Sequence, residues 1–109
     1  MKTKSTTTYK QWDIILVKFP FTEEDTSKKR PALIISSTDF NQEDRVVILQ
    51  ITSNINENSS GYLIQDWQEA RLLKPALIKM KFATIKKSII DKKLGKLSDR
   101  DKSNIKEYL

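Results

Sequence analysis

The sequence predicts a small, mainly β domain, a strongly bent sheet or barrel with one helix packed on it. Three observations lead there. Five or six short segments rich in β-branched and aromatic residues recur along the chain, separated by turn-forming residues. No long helical pattern stands between them, which argues against a parallel, doubly wound sheet. Near the end, Ser98-Asp99-Arg100-Asp101 matches the capping-box pattern of a helix start.

The elements follow in order. Met1 to Thr8 is polar and without period, and reads as a flexible tail before a single domain over 9–109. The first strand runs from Trp12 to Phe19, with Ile15, Val17 and Phe19 on one face and Ile14, Leu16 and Lys18 on the other. Both faces begin apolar, so the strand should be central. Pro20 ends it. Phe21 to Lys29 is a long polar loop, acidic first and basic last, of the kind that often acts as a lid. The second strand spans Arg30 to Ser36. Pro31 has no N–H and holds Arg30 in an extended conformation at the mouth of that loop. A turn region over Ser37 to Asp44 leads to a third strand, Arg45 to Thr52, and a loop, Ser53 to Ser60.

Gly61 to Ile64 is a short strand, and Asp66 to Ala70 fits one helical turn. Ala76 to Phe82 alternates, with Ile78, Met80 and Phe82 facing one way and Lys79 and Lys81 the other. A further short strand is expected around Ser88-Ile89-Ile90, with Gly95 marking a turn. The C-terminal helix should run through Glu107 and dock by the pair Ile105 and Leu109.

Composition bounds the chemistry. A chain of 109 residues makes one domain with a modest core, and such a domain often completes its burial by forming a homodimer. Lys and Arg number 20 against 14 Asp and Glu, a net charge of +6 that favours a polyanionic partner. Cysteine and histidine are absent. That removes thiol and histidine acid–base catalysis and both usual ligands of zinc, so no zinc site is expected. No apolar run reaches membrane-spanning length, and the expected location is the cytoplasm, with no membrane partner.

Two strand ends could carry chemistry. If the second and third strands are antiparallel neighbours, Arg30 at the start of one meets Thr52 at the end of the other. A guanidinium beside a hydroxyl, with loop N–H groups nearby, is a phosphate-binding arrangement. The plain alternative for Thr52 is a strand-terminal hydroxyl bonded to its own backbone. Lys28, Lys29, Lys79 and Lys81 are candidates for phosphate contacts outside that point. Edge protection and solubility explain Lys79 and Lys81 as well.

Trp12-Asp13-Ile14, Phe19-Pro20-Phe21-Thr22, Lys29-Arg30-Pro31-Ala32-Leu33-Ile34-Ile35-Ser36 and Gln50-Ile51-Thr52-Ser53 resemble segments of the MazF/PemK family of toxin–antitoxin ribonucleases. They stand in that family's order and spacing. Leu72-Leu73-Lys74-Pro75 and Leu94-Gly95-Lys96-Leu97-Ser98 resemble it downstream, so the likeness runs from Trp12 to the C-terminus. The resemblance implies an SH3-like barrel with a C-terminal helix. It implies a dimeric endoribonuclease that cleaves single-stranded RNA without a metal and is restrained by an antitoxin segment in the RNA groove. The net charge suggests that antitoxin is acidic and folds on binding.

By the same resemblance, the family's arginine falls on Arg30 and its catalytic threonine on Thr52, with Phe21 to Lys29 as the loop that covers RNA. Ser53 adjoins the threonine and joins Lys28, Lys29, Lys79 and Lys81 as a candidate RNA contact. Asp13, Glu23 and Glu24 are the candidates for a general base. Two positions depart from the family, which usually has glycine where Trp12 and Arg71 stand. The Trp12 indole could stack on a base, block the groove, or simply pack at the barrel rim. Two other functions fit the same frame: a non-catalytic barrel that poisons a protein such as gyrase, as the related CcdB-type toxins do, and an inactive RNA-binding relative.

Overall fold

The computed structural model describes residues 8–18, 29–56 and 59–109. All of the expected tail except Thr8, and all of the polar loop except Lys29, lie outside them. So do Glu23, Glu24 and Lys28.

The described residues form a mainly β fold: a six-stranded antiparallel sheet with one short C-terminal helix. The strands are β1 (Asp13–Lys18), β2 (Lys29–Ile34), β3 (Arg45–Thr52), β4 (Tyr62–Leu63), β5 (Leu77–Lys86) and β6 (Ile90–Lys96), and the helix is α1 (Asp99–Ile105). Their order across the sheet is β4-β5-β3-β2-β1-β6. β1 lies between β2 and β6, as two apolar faces require.

Both faces of the sheet are buried, each in its own cluster. Ile15, Val17, Ala32, Ile34, Val46, Ile48 and Ile85 pack on the inner face, with Ile89 and Ile90 closing over them. Ile14, Leu33, Leu49, Ile51 and Ile78 pack on the outer face. There they meet Tyr62, Leu72, Leu97 and Ile105, contributed by β4, the 66–76 segment, the β6–α1 connection and α1. Strands that bury both faces explain why β1 and β3 read as nearly continuous apolar runs.

A polar network fastens α1. Its N-cap Ser98 accepts the Asp101 N–H at 3.1 Å, as the capping box predicts. The fully buried Asp101 carboxylate accepts the Gln65 and Asp66 N–H groups, both at 2.9 Å, and the Tyr62 hydroxyl. Arg100 grips Asp66 with Nη2 and Nε at 2.6 and 3.2 Å, and the Ser98 hydroxyl donates to the same carboxylate at 2.6 Å. The Arg100 guanidinium, then the Ser98 hydroxyl, hold Asp66 below its ordinary pKa. Burial, then the bond to Asp101, push Tyr62 up to about 12.

Four expectations need correction. Phe82 keeps the face of Ile78, since their partners Leu49 and Ile51 lie in one cluster, but it is 61% exposed rather than buried. The β3–β5 register shifts between Leu49 and Ile51, and β4 covers only Leu77 and Ile78, so cover ends before Phe82. Ser88-Ile89-Ile90 is a 3-10 turn (Lys87–Ile89) leading into β6, not a strand centre. Gly95 lies inside β6, opposite Ile14, rather than in a turn. A Cβ there would stand 2.5 Å from the Ala70 carbonyl oxygen, so the glycine serves close approach of two backbones. Leu109 is 53% exposed, because the helix tightens into a 3-10 turn over Lys106–Tyr108 and only Ile105 docks.

Trp12 and Arg71 are left-handed, with φ of +79° and +69°. Trp12 sits in a turn closed by the Asp13 N–H on the Lys10 carbonyl, 3.0 Å, where glycine is the usual means of reaching positive φ. Arg71 ends the single helical turn. The Arg71 N–H reaches Gln68 O and the Leu72 N–H reaches Trp67 O, each at 3.0 Å, the pattern of a Schellman cap with Arg in glycine's place. A glycine at either position would adopt the same backbone without a Cβ clash.

Candidate nucleic-acid interface

β2 and β3 pair antiparallel, with Ala32 opposite Gln50 and Leu33 opposite Leu49. The same register, continued two residues, sets Arg30 opposite Thr52. The ladder stops short of them because Pro31 has no N–H to give. Both side chains line one groove of about 360 Å³, with Lys29, Ser53, Asn54 and Lys74 around them and Leu16, Ile51, Leu72, Leu73 and Ala76 as its apolar wall. Arg30 and Thr52 thus border one groove at neighbouring ends of β2 and β3.

Thr52 Oγ1 accepts the Asn54 N–H at 3.0 Å. The plain reading of a strand-end threonine is thus present, and it does not use up the group. The amide takes one of the two acceptor lone pairs and leaves the hydroxyl proton available for donation. Arg30 is exposed and makes no ion pair among the described residues. Lys29 is held by Asp91 at 3.2 Å.

A second groove, about 550 Å³, adjoins the first and shares Thr52 and Asn54 with it. Asn56, Ser59 and Ser60 line one side, and Lys79, Met80 and Lys81 the other. Lys79 and Lys81 stand in the stretch of β5 that faces the register shift at Gln50. Together the two grooves are lined by Lys29, Arg30, Lys74, Lys79 and Lys81 and by no carboxylate among the described residues. Such a surface attracts a phosphate chain before any specific contact forms.

Two candidates are not brought to this rim. Trp12 and Asp13 stand at the opposite end of β1, since Val17 is the residue paired with Arg30 and Asp13 is paired with Lys96. At about 3.3 Å per residue, Asp13 lies roughly 13 Å along the strand from that point. Asp13 is 5% exposed; its carboxylate takes the Lys10 N–H at 2.8 Å and pairs with Lys93 at 3.2 Å. Trp12 is half-buried against the outer-face cluster, with Lys106 Nζ 6.0 Å from its ring centroid.

Sequence reasoning passed over Asn54, Ser59, Ser60 and Lys74 as lining residues. For Lys74 the signal was the Leu72-Leu73-Lys74-Pro75 segment itself. A doublet of leucines beside a basic residue and a proline cannot all be buried, and Leu73 is 94% exposed. The polar loop residues carried no such mark.

The family of PemK-like, MazF-like toxins of type II toxin–antitoxin systems matches this sequence over residues 10–109. No curated protein sequence matches it. Among solved structures, it is similar to a MazE–MazF complex from Deinococcus radiodurans, with a TM-score of 0.72 at 12% identity, covering 94% of each chain. It is similar to the Mycobacterium tuberculosis toxin MazF-mt6, with a TM-score of 0.67 at 17% identity, over 87% of this chain and 89% of that one. A mycobacterial endoribonuclease in complex with its cognate antitoxin gives 0.66 at 13% identity, over 94% and 89%. At these identities the likenesses establish a shared fold.

Proposed function

Because the chain belongs to the PemK-like, MazF-like toxins of type II toxin–antitoxin systems, we propose that it is a metal-independent endoribonuclease that cuts single-stranded messenger RNA and so stops translation. The observation that carries this reading is the juxtaposition of Arg30 and Thr52 across β2 and β3 in one cation-lined groove.

The chemistry follows from what those groups offer. The 2′-hydroxyl oxygen attacks the adjacent phosphorus. A 2′-O–P bond forms, the bond from phosphorus to the 5′-oxygen breaks, and a 2′,3′-cyclic phosphate and a 5′-hydroxyl result. One proton leaves the 2′-hydroxyl and one is delivered to the departing 5′-oxygen. Negative charge builds on the non-bridging oxygens in between. The Arg30 guanidinium neutralises it, and the Thr52 hydroxyl, which accepts the Asn54 N–H, donates its own proton to one oxygen. With a pKa above about 12, Arg30 acts first by electrostatics and only second as the acid. Glu23 and Glu24 are the better candidates for the base, because Asp13 sits at the far end of β1.

Lys28, Lys29, Lys79, Lys81 and Ser53 hold the chain on either side of the scissile phosphate in this account. The same cation-lined groove is where an acidic antitoxin segment would bind; two of the similar structures are complexes with an antitoxin. The working unit is a homodimer of this single domain, acting in the cytoplasm without a cofactor.

Expression in bacteria tests the reading. The wild-type chain should arrest growth and leave cut transcripts, and Arg30→Ala should do neither while folding normally. An Arg30→Ala chain that stays fully toxic would point instead to a protein target such as gyrase.

A further inference from the structure

We propose that the surface around Trp12 is a second anchor for single-stranded RNA, separate from the cleavage rim and joined to it by residues 71–74. This rests on the ribonuclease reading above and adds a place where the substrate is held.

Four observations carry it. The first is continuity. Leu72, Leu73 and Lys74 form one wall of the Arg30–Thr52 groove, and Arg71 immediately precedes them. Arg71 lies against Gly95, its Cγ only 2.9 Å from where a Cβ on that glycine would stand. Gly95 pairs with Ile14, and the next residue, Lys96, pairs with Asp13. The 71–74 segment therefore leads from the rim to Trp12.

The second observation is charge. Arg71, Lys96 and Lys106 are exposed, and none makes an ion pair among the described residues. The buried Asp13 carboxylate beside them is already matched by Lys93. The third is an aromatic platform. The Trp12 ring packs on the outer-face cluster with Lys106 Nζ above it at 6.0 Å. Stacked bases repeat at about 3.4 Å, so a small movement of that flexible lysine seats a base between ring and ammonium. Aromatic faces with interleaved cations are how proteins hold single strands without reading sequence.

The fourth is strain. Trp12 and Arg71 both occupy left-handed backbone that disfavours their side chains. Strain of this kind persists only where surrounding contacts hold it, and it clusters at binding sites. The exposed Leu73 falls on the path between them and the rim, where an apolar side chain can meet sugar or base. The distance is right for one substrate: Asp13, next to Trp12, lies roughly 13 Å along β1 from Val17, the residue opposite Arg30, at ~3.3 Å per residue. That is within the reach of the roughly 4–16 nucleotides that a small nucleic-acid-binding barrel contacts.

The test uses the full chain carrying Thr52→Ala to prevent cleavage, and two labelled RNAs of mixed sequence, one of about 7 and one of about 20 nucleotides, spanning the site sizes of such barrels. Fluorescence anisotropy gives their affinities. Adding Trp12→Gly and Arg71→Gly should weaken the long RNA about tenfold, the loss of one stacked base, and leave the short one within about twofold. Glycine suits both backbone conformations, so the variants test side chains without forcing the turns. Lys96→Gln with Lys106→Gln keeps the indole and should lower the salt dependence for the long RNA by about two phosphate contacts. Equal affinity of parent and variants for the long RNA, or equal weakening at both lengths, would overturn the second anchor alone. A parent that binds neither RNA would overturn the ribonuclease reading and the anchor with it.

Discussion

Trp12 and Arg71 show how much a single residue's backbone decides. Their substitution for the family's usual glycine is visible in the sequence, yet the reason is conformational and no local pattern reveals it. Left-handed backbone costs an ordinary side chain about 1–2 kcal/mol, while glycine brings its own entropic cost of about 0.5–1 kcal/mol. Arg71→Gly should therefore be neutral or up to about 1 kcal/mol stabilising in urea denaturation. Trp12→Gly should be destabilising by about 2–3 kcal/mol, because burial of the indole against the outer cluster outweighs the relief. Gly95 is the opposite case. Gly95→Ala forces a methyl to 2.5 Å from the Ala70 carbonyl oxygen, and should cost at least about 1–3 kcal/mol by overpacking. A glycine before Lys96 reads as a turn in sequence, and only the backbone crossing over it shows otherwise. The strand-end places of Arg30 and Thr52 were legible from a proline and an apolar run, whereas the groove they share depends on the pairing of β2 with β3.

Among the elements, α1 and β5 mark the two limits of legibility. The start of α1 was written in Ser98 and Asp101, and the cap is present at 3.1 Å. Ser98→Ala should cost about 1 kcal/mol, read by thermal or chemical unfolding. What the sequence did not show is that this helix is tied to β4 and to the 66–76 segment through Asp101, Tyr62 and Asp66. Those ties fix its pH response. Asp66 has a lowered pKa, so its stabilising effect is present above the ordinary carboxylate range and is lost as pH falls through its folded value. Tyr62 is raised to about 12, so its effect is present below pH 10 and is lost as pH climbs from there to about 12. Unfolding midpoints measured across pH should fall at both ends. Asp66→Asn should flatten the acid limb and Tyr62→Phe the alkaline one. On β5 the alternation holds, with Ile78 and Phe82 paired to Ile51 and Leu49 of one cluster, and what the sequence did not show is that β4 covers Leu77 and Ile78 and stops short of Phe82. Lys79, Met80 and Lys81 border the second groove along the stretch of β5 that faces the shift at Gln50.

At the scale of the molecule, the strand segments and their antiparallel neighbours determined the fold class, and the net charge of +6 found its local expression in two adjoining grooves. Where that charge gathers could not be read from a count of lysines. Ion pairs among the described residues engage Lys29, Lys93, Arg100 and Lys102, and the register of β5 chooses which others line the groove. The central claim is that Arg30 and Thr52 form a phosphate-cleaving site that needs no metal. The measurement that tests it most directly is incubation of the purified chain with a long single-stranded RNA in EDTA, beside Arg30→Ala and Thr52→Ala, with the cut ends mapped. The account predicts cuts bearing 5′-hydroxyl and cyclic phosphate ends, with rates about 100- to 1000-fold lower in each variant, as for loss of one transition-state donor. Cleavage that stops in EDTA, or that proceeds unchanged in both variants, would contradict it.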